Sequence, residues 1–99
     1  VGVEVLFILT AYAYGCGATG LTKTERPPAS DRTVAVDPRV VPMFGELAIE
    51  GIGVRYAEDT GPKVKGNRID VFMDSCEAAR EFGVQRRYVM LMPPKRGRR

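Results

Sequence analysis

The chain has 99 residues, 44% of them apolar, a formal charge of +3 and no histidine. That length fits one domain with a modest core, and the apolar fraction is too high for a disordered chain. The missing histidine excludes Ser–His and Cys–His dyads and histidine-based metal centres, so proton transfer near neutral pH falls to carboxylates, lysine, tyrosine or cysteine.

In chain order, Val3 to Tyr14 alternates or runs apolar and is rich in Val, Ile, Thr, Phe and Tyr, which predicts a first strand. Its apolar part, Val5 to Ala13, is too short to span a membrane and has Glu4 before it instead of a basic flank, so no targeting segment is read here. The chain begins at Val1 and not Met, as a piece of a longer precursor would, and this leaves localisation open. Gly15 to Arg32 reads as a long loop, a feature that in a small domain is more often functional or mobile than idle. Short strands are expected at Thr33 to Val36, Glu46 to Glu50 and Val54 to Glu58, separated by turns at Asp37-Pro38, Pro42 to Gly45 and Gly51 to Gly53.

Asp59 to Arg68 is a Gly/Pro/Lys loop, and Ile69 to Met73 a strand with Ile69, Val71 and Met73 on one face and Asp70 and Phe72 on the other. A short helix near residues 75–82 follows from the D-x-x-E spacing of Asp74 and Glu77 and from Gly83 as a left-handed stop; Asp74 is assigned to its cap. Arg86 to Met92 closes the domain as a sixth strand. Six short strands, one helix and no βαβ rhythm predict an all-β fold, a small barrel over residues 1–92, with 93–99 as a basic tail. Without Lys95, Arg96, Arg98 and Arg99 the balance is 11 basic against 12 acidic residues, so the body carries no bias toward nucleic acid. Cys16 and Cys76 are too few for a zinc cluster; one disulfide or two separate thiols both remain open.

Asp59-Thr60-Gly61 invites comparison with retroviral aspartic proteases. Glu58 before it and Pro62 after it do not suit a dyad that shares one proton, and the triplet comes too late in the chain. It belongs instead to a longer string, Ala57-Glu58-Asp59-Thr60-Gly61-Pro62-Lys63-Val64-Lys65-Gly66-Asn67-Arg68-Ile69-Asp70-Val71-Phe72-Met73-Asp74-Ser75. Upstream lie Thr33-Val34-Ala35-Val36-Asp37-Pro38, Thr10-Ala11-Tyr12 and Ala18-Thr19-Gly20. In this order the motifs resemble those of the 3D (three-aspartate) domain family, over about residues 6 to 91.

The resemblance implies a six-stranded double-psi β-barrel, similar to the core of membrane-bound lytic transglycosylases and to expansin-like barrels. It implies cleavage of the MurNAc–GlcNAc bond of peptidoglycan with formation of 1,6-anhydro-MurNAc ends, outside the cell or in its wall, with no cofactor and no metal. The family's catalytic acid aligns with Asp70, and Asp59 and Asp37 match its other two aspartates. Thr10, Tyr12, Thr19, Thr60 and Lys65 are candidates for the glycan groove, although each also suits an ordinary strand, turn or solvated position. Asp37 before Pro38 also suits a turn, and Asp59 before Thr-Gly an Asx-turn. Three departures stand out: Pro62-Lys63-Val64 where the family has G-x-I, Met43-Phe44-Gly45 where it has L-G-[TS], and Cys76 where it often has histidine. Two rival functions stay open, a noncatalytic polysaccharide-binding barrel and hydrolysis by water.

One aspartate can carry the lytic reaction. It protonates the leaving oxygen and then, as carboxylate, deprotonates the sugar's own C6 hydroxyl. An ordinary aspartate, with a pKa of about 3.9, is ionised at neutral pH, so burial or a neighbouring carboxylate is needed to raise it. Asp70 beside Phe72 has that setting in prospect.

Overall fold

A computed structural model describes residues 3–92. Its strands are β1 (Glu4–Tyr14), β2 (Gly17–Ala18), β3 (Thr33–Ala35), β4 (Glu46–Ile49), β5 (Gly53–Asp59), β6 (Arg68–Phe72) and β7 (Gln85–Met92), with one helix, α1 (Cys76–Phe82). The expected basic tail, residues 93–99, lies outside the described residues.

Six strands close a barrel in the order β1-β6-β3-β5-β4-β7, with β7 returning to β1. The long β1 makes closure possible. Its first half, Glu4 to Leu9, runs antiparallel to β7, and its second half, Ile8 to Tyr12, runs parallel to β6. A second parallel pair, β3 with β5, carries a register shift between Val34 and Ala35. That shift places Asp59, not Glu58, opposite Ala35. β2 was not anticipated: the segment read as loop forms a two-residue parallel extension along Ala13 and Tyr14, too short to leave an alternation pattern.

Strand alternation divides the side chains between two environments. Phe7, Leu9, Val34, Leu47, Ala57, Ile69, Val71 and Val89 fill the barrel. Truncating Leu9 or Leu47, both fully buried, to alanine costs about 3 kcal/mol. The opposite faces of β1, β6 and β3 contribute Tyr12, Phe72 and Ala35 to a smaller cluster with Ala18 and Val64. Tyr12 and Tyr14 each meet Phe72 edge-on, at ring separations of 5.3 and 5.5 Å. This outer cluster is the floor on which the site stands.

The helix is capped by Ser75, not Asp74. Ser75 is extended (φ −149°, ψ 159°) and its hydroxyl accepts from the Ala78 N–H at 3.0 Å. The acceptor must stand immediately outside the first helical residue, Cys76, and Asp74 is one position too early. Gly83 ends the helix at φ +65°. Cys16 and Cys76 form a disulfide with Cα atoms 5.7 Å apart, tying the β1–β2 turn to the first residue of α1. Closing a loop of 60 residues is worth about 4 kcal/mol in the chain-entropy model.

Candidate active site

Register pairs bring Thr10, Asp70, Ala35 and Asp59 into one row across β1, β6, β3 and β5. Ala35, in the middle, is small and buried, so nothing bulky separates the two carboxylates. Asp70 is half-buried, and its Oδ1 accepts from the Thr10 hydroxyl at 3.0 Å. Burial raises the Asp70 pKa above the usual aspartate value. The Thr10 hydrogen bond and the Arg68 charge pull it back, the Asp59 charge adds to the rise, and the net direction is upward. Arg68, two residues before Asp70 on the same strand face, also reaches the Thr10 hydroxyl oxygen at 3.4 Å.

Asp59 is held differently. Its Oδ2 accepts from the Tyr12 phenol at 2.9 Å, and its Oδ1 from the backbone N–H groups of Lys23 and Thr60 at 3.0 and 2.9 Å. Burial and then the Asp59 charge raise the Tyr12 pKa, so the phenol keeps its proton and acts as a donor. Tyr12 thus links the aromatic floor to the second carboxylate.

Asp37 stands outside this pair. It lies just past β3, covered, and is wrapped by its own neighbours. Arg39 donates to Oδ1 from its backbone N–H and its Nε, and to Oδ2 at 2.9 Å from a terminal nitrogen. The Gly66 N–H donates to Oδ2 at 2.8 Å from the 60–67 loop, with Gly66 at φ +67°, a conformation that favours glycine. The Arg39 side chain and these backbone donors hold the Asp37 carboxyl well below the usual range. Asp37 is a permanent anion that fastens the loop after Asp59 to the end of β3.

A further carboxylate was not anticipated from the sequence. Glu58, 3% exposed, accepts from the Thr33 hydroxyl at 2.7 Å and from Arg32 Nε at 2.9 Å, with Arg26 at 3.4 Å. Its backbone carbonyl accepts from the Thr24 N–H. Glu58 therefore laces the 19–32 segment onto the end of β5 and brings the Lys23 N–H to Asp59. The signal was a glutamate next to a candidate aspartate, on the side of the strand that points away from water.

The other sequence candidates are spread out. Thr60 and Lys65 line an open depression of about 430 Å3 beside Asp59, together with Lys23, Pro38, Gly61, Pro62 and Val64. Thr19 is exposed in the segment after β2. Among the described residues no group of three or more Cys, Asp or Glu is arranged to hold a metal ion, and no helix is long and apolar enough to cross a membrane.

Comparison with known proteins places this geometry. Residues 32–92 match the 3D domain family. The chain is 42% identical over 88 residues to the cell wall-binding protein YocH of Bacillus subtilis, covering 83% of this chain and 30% of that protein. It is 39% identical over 87 residues to the prophage-derived uncharacterized protein YorM of the same organism, covering 77% of this chain and 37% of YorM. The chain thus spans about a third of the length of each. Among solved structures, an apo form of a substituted lytic transglycosylase MltA from E. coli superposes with a TM-score of 0.67 at 18% identity, over 79% of this chain and 28% of that one. At that identity the likeness concerns the fold: a six-stranded double-psi β-barrel with one short helix.

Proposed function

The chain belongs to the 3D domain family, and from that premise we propose that it cleaves peptidoglycan glycan strands as a lytic transglycosylase, with Asp70 as acid and then base. The observation that carries this reading is the setting of Asp70: a half-buried carboxyl with a raised pKa, in one row with the charge of Asp59 and with only Ala35 between them. The domain taken to act is residues 1–92, with 93–99 as a basic tail, at the cell wall or outside the cell.

In the first step protonated Asp70 gives its proton to the glycosidic oxygen. The C1–O bond breaks, GlcNAc leaves with a 4-hydroxyl, and positive charge develops at C1 of MurNAc. In the second step the Asp70 carboxylate takes the proton of the MurNAc C6 hydroxyl, whose oxygen closes on C1 to form the 1,6-anhydro ring. The proton returns to Asp70 and no water is consumed. Burial raises the Asp70 pKa, and Asp59 adds to that rise and lends negative charge near the developing cation. Its oxygens already accept three hydrogen bonds, which leaves it poorly placed to activate a water and favours the lytic route over hydrolysis. Thr10 orients the Asp70 carboxyl, and Tyr12 orients Asp59.

The test is to incubate the purified domain with cell-wall sacculi and look for anhydro-muropeptides by mass spectrometry. Wild type releases them and Asp70→Asn does not; equal release from both would remove Asp70 from the mechanism. A second reading, noncatalytic wall binding, is favoured by the name of the relative YocH. It predicts retention on insoluble peptidoglycan with no new ends.

A further inference from the structure

Three arginines around Asp59 and Asp37 are committed internally: Arg26 and Arg32 to Glu58, and Arg39 to Asp37. Two lysines on the same side of the molecule are not. Among the described residues neither Lys23 nor Lys65 pairs with a carboxylate, and both side chains are exposed. They line one depression of about 430 Å3, whose other walls are Pro38, Thr60, Gly61, Pro62 and Val64. None of the lining side chains is acidic. The depression is therefore a cationic recess with an apolar floor.

Its position is fixed by Asp59. The Lys23 and Thr60 N–H groups both donate to Asp59 Oδ1, so the recess begins where the carboxylate pair ends. Pro62 stiffens the loop between Thr60 and Lys65 by fixing its own φ, and Val64, 4% exposed, pins that loop into the outer cluster. The loop is further tied at Gly66 to Asp37. Both lysines thus stem from anchored backbone and need not be ordered from a disordered segment on binding.

We propose that this recess is a subsite for the carboxylates of the peptide stem borne by MurNAc, and that it makes the domain prefer stem-bearing over bare glycan. The inference rests on the reading of the chain as acting on peptidoglycan glycan strands. With its lactyl carboxyl tied to the stem as an amide, the sugar backbone is neutral and gives two ammonium groups nothing to pair with. The stem is attached through the lactyl group of MurNAc, on the residue whose C1 is attacked. It carries free carboxylates and small apolar side chains, and so matches both the lysines and the Pro/Val floor. The division of charge is consistent with this: the carboxylates of Asp70 and Asp59 stand in one row, and the two cations stand to one side of its Asp59 end.

The test uses the Asp70→Asn chain, so that substrate survives, and soluble GlcNAc–MurNAc tetrasaccharides in three forms. One bears peptide stems, one is stripped of them by an amidase and has the freed lactyl carboxyls capped as methylamides, and one bears stems with carboxyls converted to amides. Calorimetric titration gives the affinity for each. The expected preference for the stem-bearing form over the stripped form is about tenfold, the scale of two exposed charge contacts. Amidation abolishes it, and adding Lys23→Gln and Lys65→Gln reduces it below about twofold. A preference that survives amidation or the double substitution overturns the proposal, as does equal binding of the stem-bearing and stripped forms. If polyglycerol phosphate, and not the stem-bearing glycan, is the anion whose binding needs the lysines, the recess belongs to a phosphate polymer and the proposal fails. The cleavage reading is judged separately, by release of anhydro ends from stripped strands by the wild-type chain.

Discussion

Asp70 on β6 and Asp37 just past β3 carry the same side chain on neighbouring strands, yet their surroundings push them in opposite directions. Asp70 is half-buried, accepts one hydroxyl hydrogen bond and feels a second carboxylate. Asp37 is covered but meets an arginine and two backbone N–H groups. The Arg39 side chain is 75% exposed, so solvent screens that pair and its worth lies more in positioning than in bulk stability. What separates the two is burial with a single hydroxyl donor at Asp70, against a guanidinium and backbone donors at Asp37.

The strongest way to break this comparison is to neutralise each carboxyl in turn. Asp70→Asn is expected to lower release of anhydro ends by about 1,000-fold, within the range for loss of a general acid. Thermal stability should stay level or rise at neutral pH, because a desolvated charge is removed. The sign follows from the raised pKa. The stabilising contribution of Asp70 is full below the unfolded value of about 3.9 and is lost as pH rises through the folded value. Activity that needs protonated Asp70 should decline over the same rise in pH.

The next effect concerns the scaffold. Replacing both Cys16 and Cys76 by serine should cost about 4 kcal/mol in denaturant unfolding if chain entropy governs, with the loss in stability and not in the pH profile. Glu58→Gln should cost about 2 kcal/mol, since a buried charge-assisted network loses its acceptor charge. It should also lower activity, because the Lys23 N–H that holds Asp59 depends on that anchor.

A smaller effect sharpens the account of Asp70. Thr10→Val removes the only hydrogen bond that the protein gives its carboxyl among the described residues. That bond lowers the pKa, so its loss should move the alkaline limb of the pH–rate profile upward, at a cost of about 1 kcal/mol in the barrier. Asp37→Asn makes the contrasting case. The depressed Asp37 pKa contributes stability above about pH 3.9 that is lost as pH falls through the folded value. The variant should therefore be less stable than wild type at neutral pH, and the two should converge in acid, as followed by unfolding at a series of pH values.

The sequence made much of this visible. The alternation in Ile69 to Met73 was enough to separate Asp70 and Phe72 from the core-facing Ile69 and Val71, and the strands fall within a residue or two of their expected bounds. What it could not display were contacts made across long separations. The Tyr12 phenol reaches Asp59 across 47 positions, and the Lys23 N–H does so across 36. The Cys16–Cys76 pairing, left open in the sequence, depended on the same kind of distance. The role of Glu58 is not legible in the sequence because the register shift at Val34 and Ala35, which lets Glu58 and Asp59 take different surroundings, has no sequence signature of its own. At the helix start, two polar residues in a row, Asp74 and Ser75, both suit a cap, and only the backbone decides between them.

The central claim, that the surroundings raise the Asp70 pKa and depress that of Asp37, is tested most directly by carbon-13 NMR titration of the side-chain carboxyls, assigned with the Asp70→Asn and Asp37→Asn variants. The account predicts that Asp70 titrates above the ordinary aspartate value of about 3.9 and Asp37 below it. An Asp70 that titrates at or below the ordinary value, or an Asp37 that titrates above Asp70, would contradict it.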